Sequence, residues 1–442
     1  MAAPNTAHDA NPRMGLARTL FLFSVLTASS DLFLVWNVAG FTLRAHQVLM
    51  IFPLAYVLGV TVSSKKIRLP IGALPLYAWM VFIIAFVPNT VFLSRSIGYA
   101  VWLLIDVSAI FLAVQLFDDL RSLEILLKWY VRTFLAISIV GLMQLVLGLC
   151  HLPAPYARML PRINGLSYEP SYYATYLMMG WVLCAWMIEK GSYFVPQNLV
   201  RVTFISSTLA LVLSTSRLGW MLMALWGCGY FVRRVMRWKP VTLGLGSWLL
   251  VVNLFAASLA GFVVVATHES DNILRSFAAG LGVFGAPSHS VDERMQHMWM
   301  TLELVQKNPF MGTSLGGIAP AIREQQHETA IRSNLDTKPY EGNSIFVEAL
   351  AASGVIGFLP FVAYVLMLLI KPSLLASACP EPLRTVLSGL VLALGMELLA
   401  LQFSPNILRP YLWFHIAIVS AAYATIHASR RPAPRTVETR VS

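Results

Sequence analysis

Four arginines carry the most chemical information in this sequence: Arg162 in "PRINGLSYEP", Arg217 in "STSR", Arg294 in "VDERMQHMWM" and Arg409 in "PNILRPY". Guanidinium is a planar, permanently charged fork that meets phosphate oxygens two at a time, and helix N-termini add further N–H donors. Such a set suits an anion. There is no GxxxxGK[ST] loop to cradle a nucleotide, so the anion is not ATP. Glu169-Pro170 puts a carboxylate just before a proline at a helix's first turn, where Glu169 reads either as a partner of the helix dipole or as a catalytic group. His268, His289, His297 and His327 share one long loop, yet none has the HxxxH or HxH spacing that sets two imidazoles on one metal face. The "ESD" triplet at 269–271 and Asp118-Asp119 are too short to identify a metal site, and the four cysteines show no CxxC spacing. No metal or other cofactor is expected.

The elements that hold these groups are membrane helices. Of 442 residues 57% are hydrophobic and only 12% charged, with a mean hydropathy of +0.68, far from the roughly 25% charged content of a soluble domain. Twelve apolar runs, near 16–38, 43–62, 71–89, 96–117, 125–149, 171–189, 199–213, 218–232, 243–266, 344–370, 384–402 and 408–427, approach the roughly 20 residues a bilayer crossing needs. They are continuous rather than alternating, which excludes a closed barrel. The fold class is therefore an all-α polytopic membrane protein.

The net charge of +11 does not point to nucleic acid, because the basic residues sit in alternate short connections: Lys65, Lys66 and Arg68, then Arg121, Lys190 and Arg201, Arg233 to Lys239, Lys371 and Arg384, and the tail. That bias places those connections and both termini in the cytoplasm. No signal-peptide cleavage site follows the first run, so it is expected to remain as an anchor. The expected organisation is helices 1–9 over residues 1–266 with a short periplasmic loop at 150–170, a large partly helical periplasmic loop at 267–343, helices 10–12 over 344–427, and a cytoplasmic tail at 428–442.

Arg162, Arg217, Arg294 and Arg409 then face outward, against the bias that defines the topology. Arg217 lies between two runs of about fifteen residues, which rise only about 22 Å, so this hairpin tip is expected below the membrane surface, where a charge marks function. Tyr168, Tyr172, Tyr173 and Tyr176 read most simply as an interfacial aromatic belt. "VDERMQHMWMTLELVQ" has helical spacing, and "KNPFMGTSLGG" stops it. In 344–370, Ala349, Ser353 and Gly357 form a small-residue stripe for a neighbouring helix, Pro360 is a candidate bend, and Asn343 and Ser344 are candidate N-caps. With an outward anion site and no nucleotide, the natural substrate is a lipid-linked diphosphate.

The ordered series RxNG at Arg162–Gly165, SxSR at Ser214–Arg217, Rx4W at Arg294–Trp299, NPFMGTSLGG at 308–317 and GNSIFVEALAASGVIGFLPF at 342–361 resembles the O-antigen ligase and polymerase superfamily. The resemblance implies a glycosyltransferase of the bacterial inner membrane with a GT-C-like architecture, its active site facing the periplasm. Its donor would be an undecaprenyl-diphosphate-linked oligosaccharide, used without a cofactor. It implies that Arg217 and Arg294 hold the diphosphate and that Asn343 is the polar residue beginning the helix after the long loop; Arg162, Arg409, Glu348 and His327 are further candidates for substrate binding on their own residue types and positions. A ligase carries a histidine immediately before the asparagine; here that residue is Gly342. The chain therefore resembles the polysaccharide polymerase branch more closely, with a chain-length regulator as a candidate partner. The base is sought among Glu341, Glu169, Glu348 and His327, in that order. The alternatives are a ligase that transfers glycan to lipid A-core, and a transporter or flippase without catalysis.

Overall fold

The computed structural model describes residues 12–38, 41–65, 67–237, 289–325, 344–403 and 407–430. Helices occupy eleven of the twelve apolar runs: α1 (Pro12–Thr27), α2 (Ala45–Ser64), α3 (Ala73–Ala85), α4 (Leu93–Leu116), α5 (Leu120–Leu149), α6 (Pro170–Lys190), α7 (Gln197–Leu213), α8 (Arg217–Arg237), α11 (Ile345–Ser377), α12 (Leu383–Ala400) and α13 (Pro410–Ser429). The run at 243–266 lies outside the described residues. Two further helices, α9 (His289–Lys307) and α10 (Ile318–Gln325), lie in the expected large loop. Among the described residues six helices, α2, α4, α5, α11, α12 and α13, are long and apolar enough to cross a membrane by length and composition.

The first run does not stay helical over 16–38. Helix α1 ends at Thr27, and β1 (Val35–Val38) pairs antiparallel with β2 (Phe41–Arg44), Val35 opposite Arg44 and Val38 opposite Phe41. The cause is local. Ser30 accepts from the Phe33 N–H and donates back to the Phe33 carbonyl, closing a turn, and "VWNV" and "FTLR" are rich in the β-branched and aromatic residues that suit a pleated pair.

Helix α13 is the core of the bundle, buried at nearly every position from Pro410 to Ala422. It packs along α4, and Trp413 stacks on Trp79 of α3, which meets Phe361 of α11. A helix covered all round has no polar face to offer, and its sequence is apolar all round. Its one buried histidine, His415, hydrogen-bonds Tyr130 on α5 and the Leu390 carbonyl on α12.

Helix α11 is interrupted at Gly354, whose φ of 58° and ψ of −173° are non-helical. The break lies at this glycine, above Pro360. Backbone groups freed at membrane depth must find partners, and the loop after α9 supplies them: Val355 N–H donates to the Pro309 carbonyl at 2.8 Å, and Thr313 N–H donates to the Ala351 carbonyl at 2.8 Å. Gly312, at φ 71°, makes the close approach possible from the other side, because a Cβ there would press on the Ala351 carbonyl. The same loop is held to α4 through the Ser96–Ser314 hydroxyl pair at 2.7 Å. On the N-terminal side of the break Ser353 bonds back to the Ala349 carbonyl, and beyond it Phe82 of α3 packs by Gly357, so the small-residue stripe admits a neighbouring helix.

Replacing Gly354 with alanine is expected to cost at least about 2 kcal/mol, since the conformation is essentially restricted to glycine and the new Cβ would overlap the Phe310 carbonyl. Thermal unfolding of the purified variant in detergent measures this; an unshifted melting temperature contradicts it.

Candidate functional site

Residues 28–38 and 41–44, 150–169, 214–216, 308–317, 401–403 and 407–409 gather at one end of the bundle, joined by contacts between connections. Asp31 N–H donates to the Leu166 carbonyl, Ile163 N–H to the Leu213 carbonyl, and Ile345 N–H to the Leu401 carbonyl. The RxNG segment is the most tightly sewn of these. Buried Asn164 donates to the carbonyls of Tyr156 and Ser167 and accepts from Arg158 N–H. Gln144 of α5 accepts from Gly165 N–H and donates to the Gly165 carbonyl, a two-way clasp at 2.9 and 2.7 Å. Gly165 has φ 54°, and Tyr173 packs where its Cβ would stand.

This clasp aims Arg162 at the α7–α8 tip. Its Nε donates to the Thr215 hydroxyl at 2.6 Å, and Thr215 takes φ 50° in a turn whose three residues Ser214, Thr215 and Ser216 are all buried. Ser216 caps α8, accepting from Gly219 N–H, so Arg217 is the first residue of that helix, with its side chain exposed. Arg162 and Arg217 stand close enough to feel each other: burial, then the Arg217 charge, push the Arg162 guanidinium below its usual range, and Glu169 pulls it back. Both remain cations, since arginine does not lose its proton in proteins. Glu169 is half-buried at the N-cap of α6, with Pro170 at the first turn as the sequence indicates, and its carboxylate accepts from the Ser171 hydroxyl at 3.2 Å rather than from a backbone N–H. Arg162, Arg217 and Glu169 thus lie within electrostatic reach of one another at one corner. Two cations and one carboxylate leave a net positive charge beside the first turn of α8, where N–H groups also favour an anion.

The other candidates divide. Arg409 is buried, with Nη1 3.2 Å from Asp31 and its guanidinium 3.6 Å from the centre of the Tyr172 ring; Asp31 also pairs with Arg44 at 3.2 Å. Burial alone would raise the Asp31 carboxyl, but Arg409 and Arg44, with the Tyr168 N–H, hold it below the ordinary carboxylate range. Arg409 therefore adjoins the corner through Tyr172 while tying α13 to the loop after α1. Glu348 is buried on α11 and accepts from Ile407 N–H at 2.7 Å, and the hydroxyl of Ser344 at the helix N-cap donates to Gln402 rather than to its own helix. Their partners, Ile407 and Gln402, both lie between α12 and α13. Arg294 lies on α9, but its side chain, with Glu341, Asn343 and His327, lies outside the described residues.

The four tyrosines do not form a belt. Tyr173 and Tyr176 are core residues whose hydroxyls reach the Ile137 carbonyl and Thr133, while Tyr172 and Tyr168 lie under Arg409 and Arg158. Two carboxylates that matter were not singled out from sequence. Asp31 is the hub just described, and Glu397 on α12 is fully buried with neither carboxylate oxygen hydrogen-bonded. Their signal was present: each is a lone acid inside an apolar run.

With this geometry in view, residues 202–362 match the family model described as O-antigen ligase. The chain resembles the O-antigen ligase and polymerase superfamily. No individual curated protein matches it. The O-antigen ligase segment runs from α7 to the middle of α11, so it holds Arg217, Arg294, the Asn308–Gly317 loop and the Gly354 break. Arg162, Glu169, Asp31 and Arg409 lie outside it.

Removing one member of a buried ion pair strands its partner at about 3–5 kcal/mol, so Asp31→Asn is expected to lower the melting temperature sharply near neutral pH. Because the folded-state value of Asp31 is depressed, its contribution is full above the ordinary carboxylate range and fades as pH falls through the lower, folded-state value. Melting followed from pH 7 downward should show the gap between wild type and Asp31→Asn closing in acid; a gap that stays constant contradicts the assignment.

Proposed function

We propose that the chain is a polysaccharide polymerase of the O-antigen type, in the bacterial inner membrane with both termini cytoplasmic and the loop end in the periplasm. It transfers an undecaprenyl-diphosphate-linked glycan onto a lipid-linked repeat unit. The observation that carries this reading is the Arg162–Thr215 hydrogen bond, which sets Arg162 at the α7–α8 tip within electrostatic reach of Arg217 and Glu169. An acceptor hydroxyl attacks the anomeric carbon, the bond to the diphosphate breaks, and the charge that develops on the departing diphosphate falls to Arg217 and Arg162, with Arg294 contributing from α9. The base that takes the hydroxyl proton is Glu341 or Glu169, with Glu348 and His327 as further candidates. Gly342, where a ligase carries histidine, supports the polymerase over the ligase; the description of the matched family favours the ligase.

Arg217→Ala is expected to reduce polymer by about 100-fold or more, the scale of losing one preorganised group at a developing charge. Glycan ladders from the native host read it; unchanged long chains at normal protein level would sink the proposal. Deleting the gene separates the acceptors. A polymerase should leave lipid A-core capped by one repeat, whereas bare core with glycan stranded on its lipid carrier assigns a ligase.

A further inference from the structure

A second concave site lies at the same end of the bundle, away from the arginine corner in composition and in construction. It is a cavity of about 890 Å³ between the α3–α4 connection, the end of α9, the Asn308–Thr313 loop and α10. That volume is within the range of small-molecule sites. Its polar lining includes Asn89, Lys307, Asn308, Glu324 and Gln325. One ammonium and one carboxylate cancel, which leaves a rim of amides with both donors and acceptors and no net charge to select an anion. Into the same space comes Phe310, a large aromatic ring left 67% exposed. Exposed amides beside an exposed aromatic face match a ligand with hydroxyls around its edge and C–H groups on its flat face. That is the chemistry of a pyranose ring.

The wall is rigid where it needs to be. Phe310 belongs to the loop inserted at the Gly354 break, and Gly312 is fixed by its approach to Ala351, so the backbone that carries the ring is held by hydrogen bonds to α11. A preorganised aromatic platform loses little entropy on binding.

We infer that this cavity is a saccharide subsite, taking uncharged sugar residues of the glycan substrate while the diphosphate is held at the arginine corner. The inference rests on the glycosyltransferase reading and specifies where its sugar is recognised. Phe310 stacks on a ring face, and Asn308, Asn89 and Gln325 bond its hydroxyls.

Two probes separate the two sites. The first is the reducing oligosaccharide released from the host's lipid-linked repeat by mild acid, free of lipid and phosphate, titrated into the purified full chain in detergent by calorimetry. Wild type should bind it; Phe310→Ala and Asn308→Ala should each weaken binding roughly fivefold or more, as loss of about 1 kcal/mol of stacking or hydrogen bonding implies. Arg217→Ala should leave this binding unchanged. Failure of wild type to bind, or binding by both cavity variants as tight as that of wild type, overturns the subsite. Both side chains are exposed, so the variants should fold; Glu324→Gln on α10 replaces either that does not. The second probe is sugar-free undecaprenyl diphosphate. If Arg217→Ala holds it as tightly as wild type, the reading of the arginine corner fails while the oligosaccharide result still judges the cavity.

Discussion

The buried carboxylate of Asp31 is the constraint on which the rest of the loop end depends. It bonds the backbone of the RxNG loop at Tyr168, pairs with Arg44 at the end of the hairpin and pairs with Arg409 at the start of the central helix. One anion thereby fixes three connections that are far apart in sequence. Charges so far from water are worth keeping only when each is matched, and here two guanidinium groups and a backbone N–H match one carboxylate. The loop held this way is the one that carries Arg162 to the α7–α8 tip. Arg409 is a support of the arginine corner as much as a member of it.

A second constraint acts on the other half of the site. A helix broken at membrane depth exposes N–H and C=O groups that lipid cannot satisfy. The break at Gly354 is filled by Pro309 to Thr313, whose backbone takes up the freed groups. The same exchange that repairs α11 holds the wall of the neighbouring cavity in place. Gly312 and Gly354 face each other there because two backbones can approach that closely only without side chains between them.

The segment that matches the O-antigen ligase model contains Arg217 and the Gly354 break but not the groups that complete the corner. Arg162 and Glu169 come from the connection before it, Asp31 from near the start of the chain and Arg409 from near its end. The arginine corner is thus assembled from four stretches, with the matched segment contributing the N-terminus of α8.

Much of this was legible in the residues alone. Long apolar runs dictate helices in a bilayer whatever their neighbours, because no other open structure satisfies its own backbone there, so the helices and most of their order followed from composition. Pro170 after Glu169 located the start of α6, and Asn308-Pro309 with Gly312 located the end of α9, because those residues act through their own φ angles and missing donors. What depends on partners distant in sequence was not legible. Tyr173 and Tyr176 have the composition of an interfacial belt, and only packing against α5 makes them core. Ser344 has the position of a cap, and only the nearby Gln402 draws its hydroxyl away. Period and propensity are properties of neighbouring residues, and they settled the elements. Which carboxylate meets which arginine depends on how helices hundreds of residues apart pack together, and that was decided by the tertiary structure.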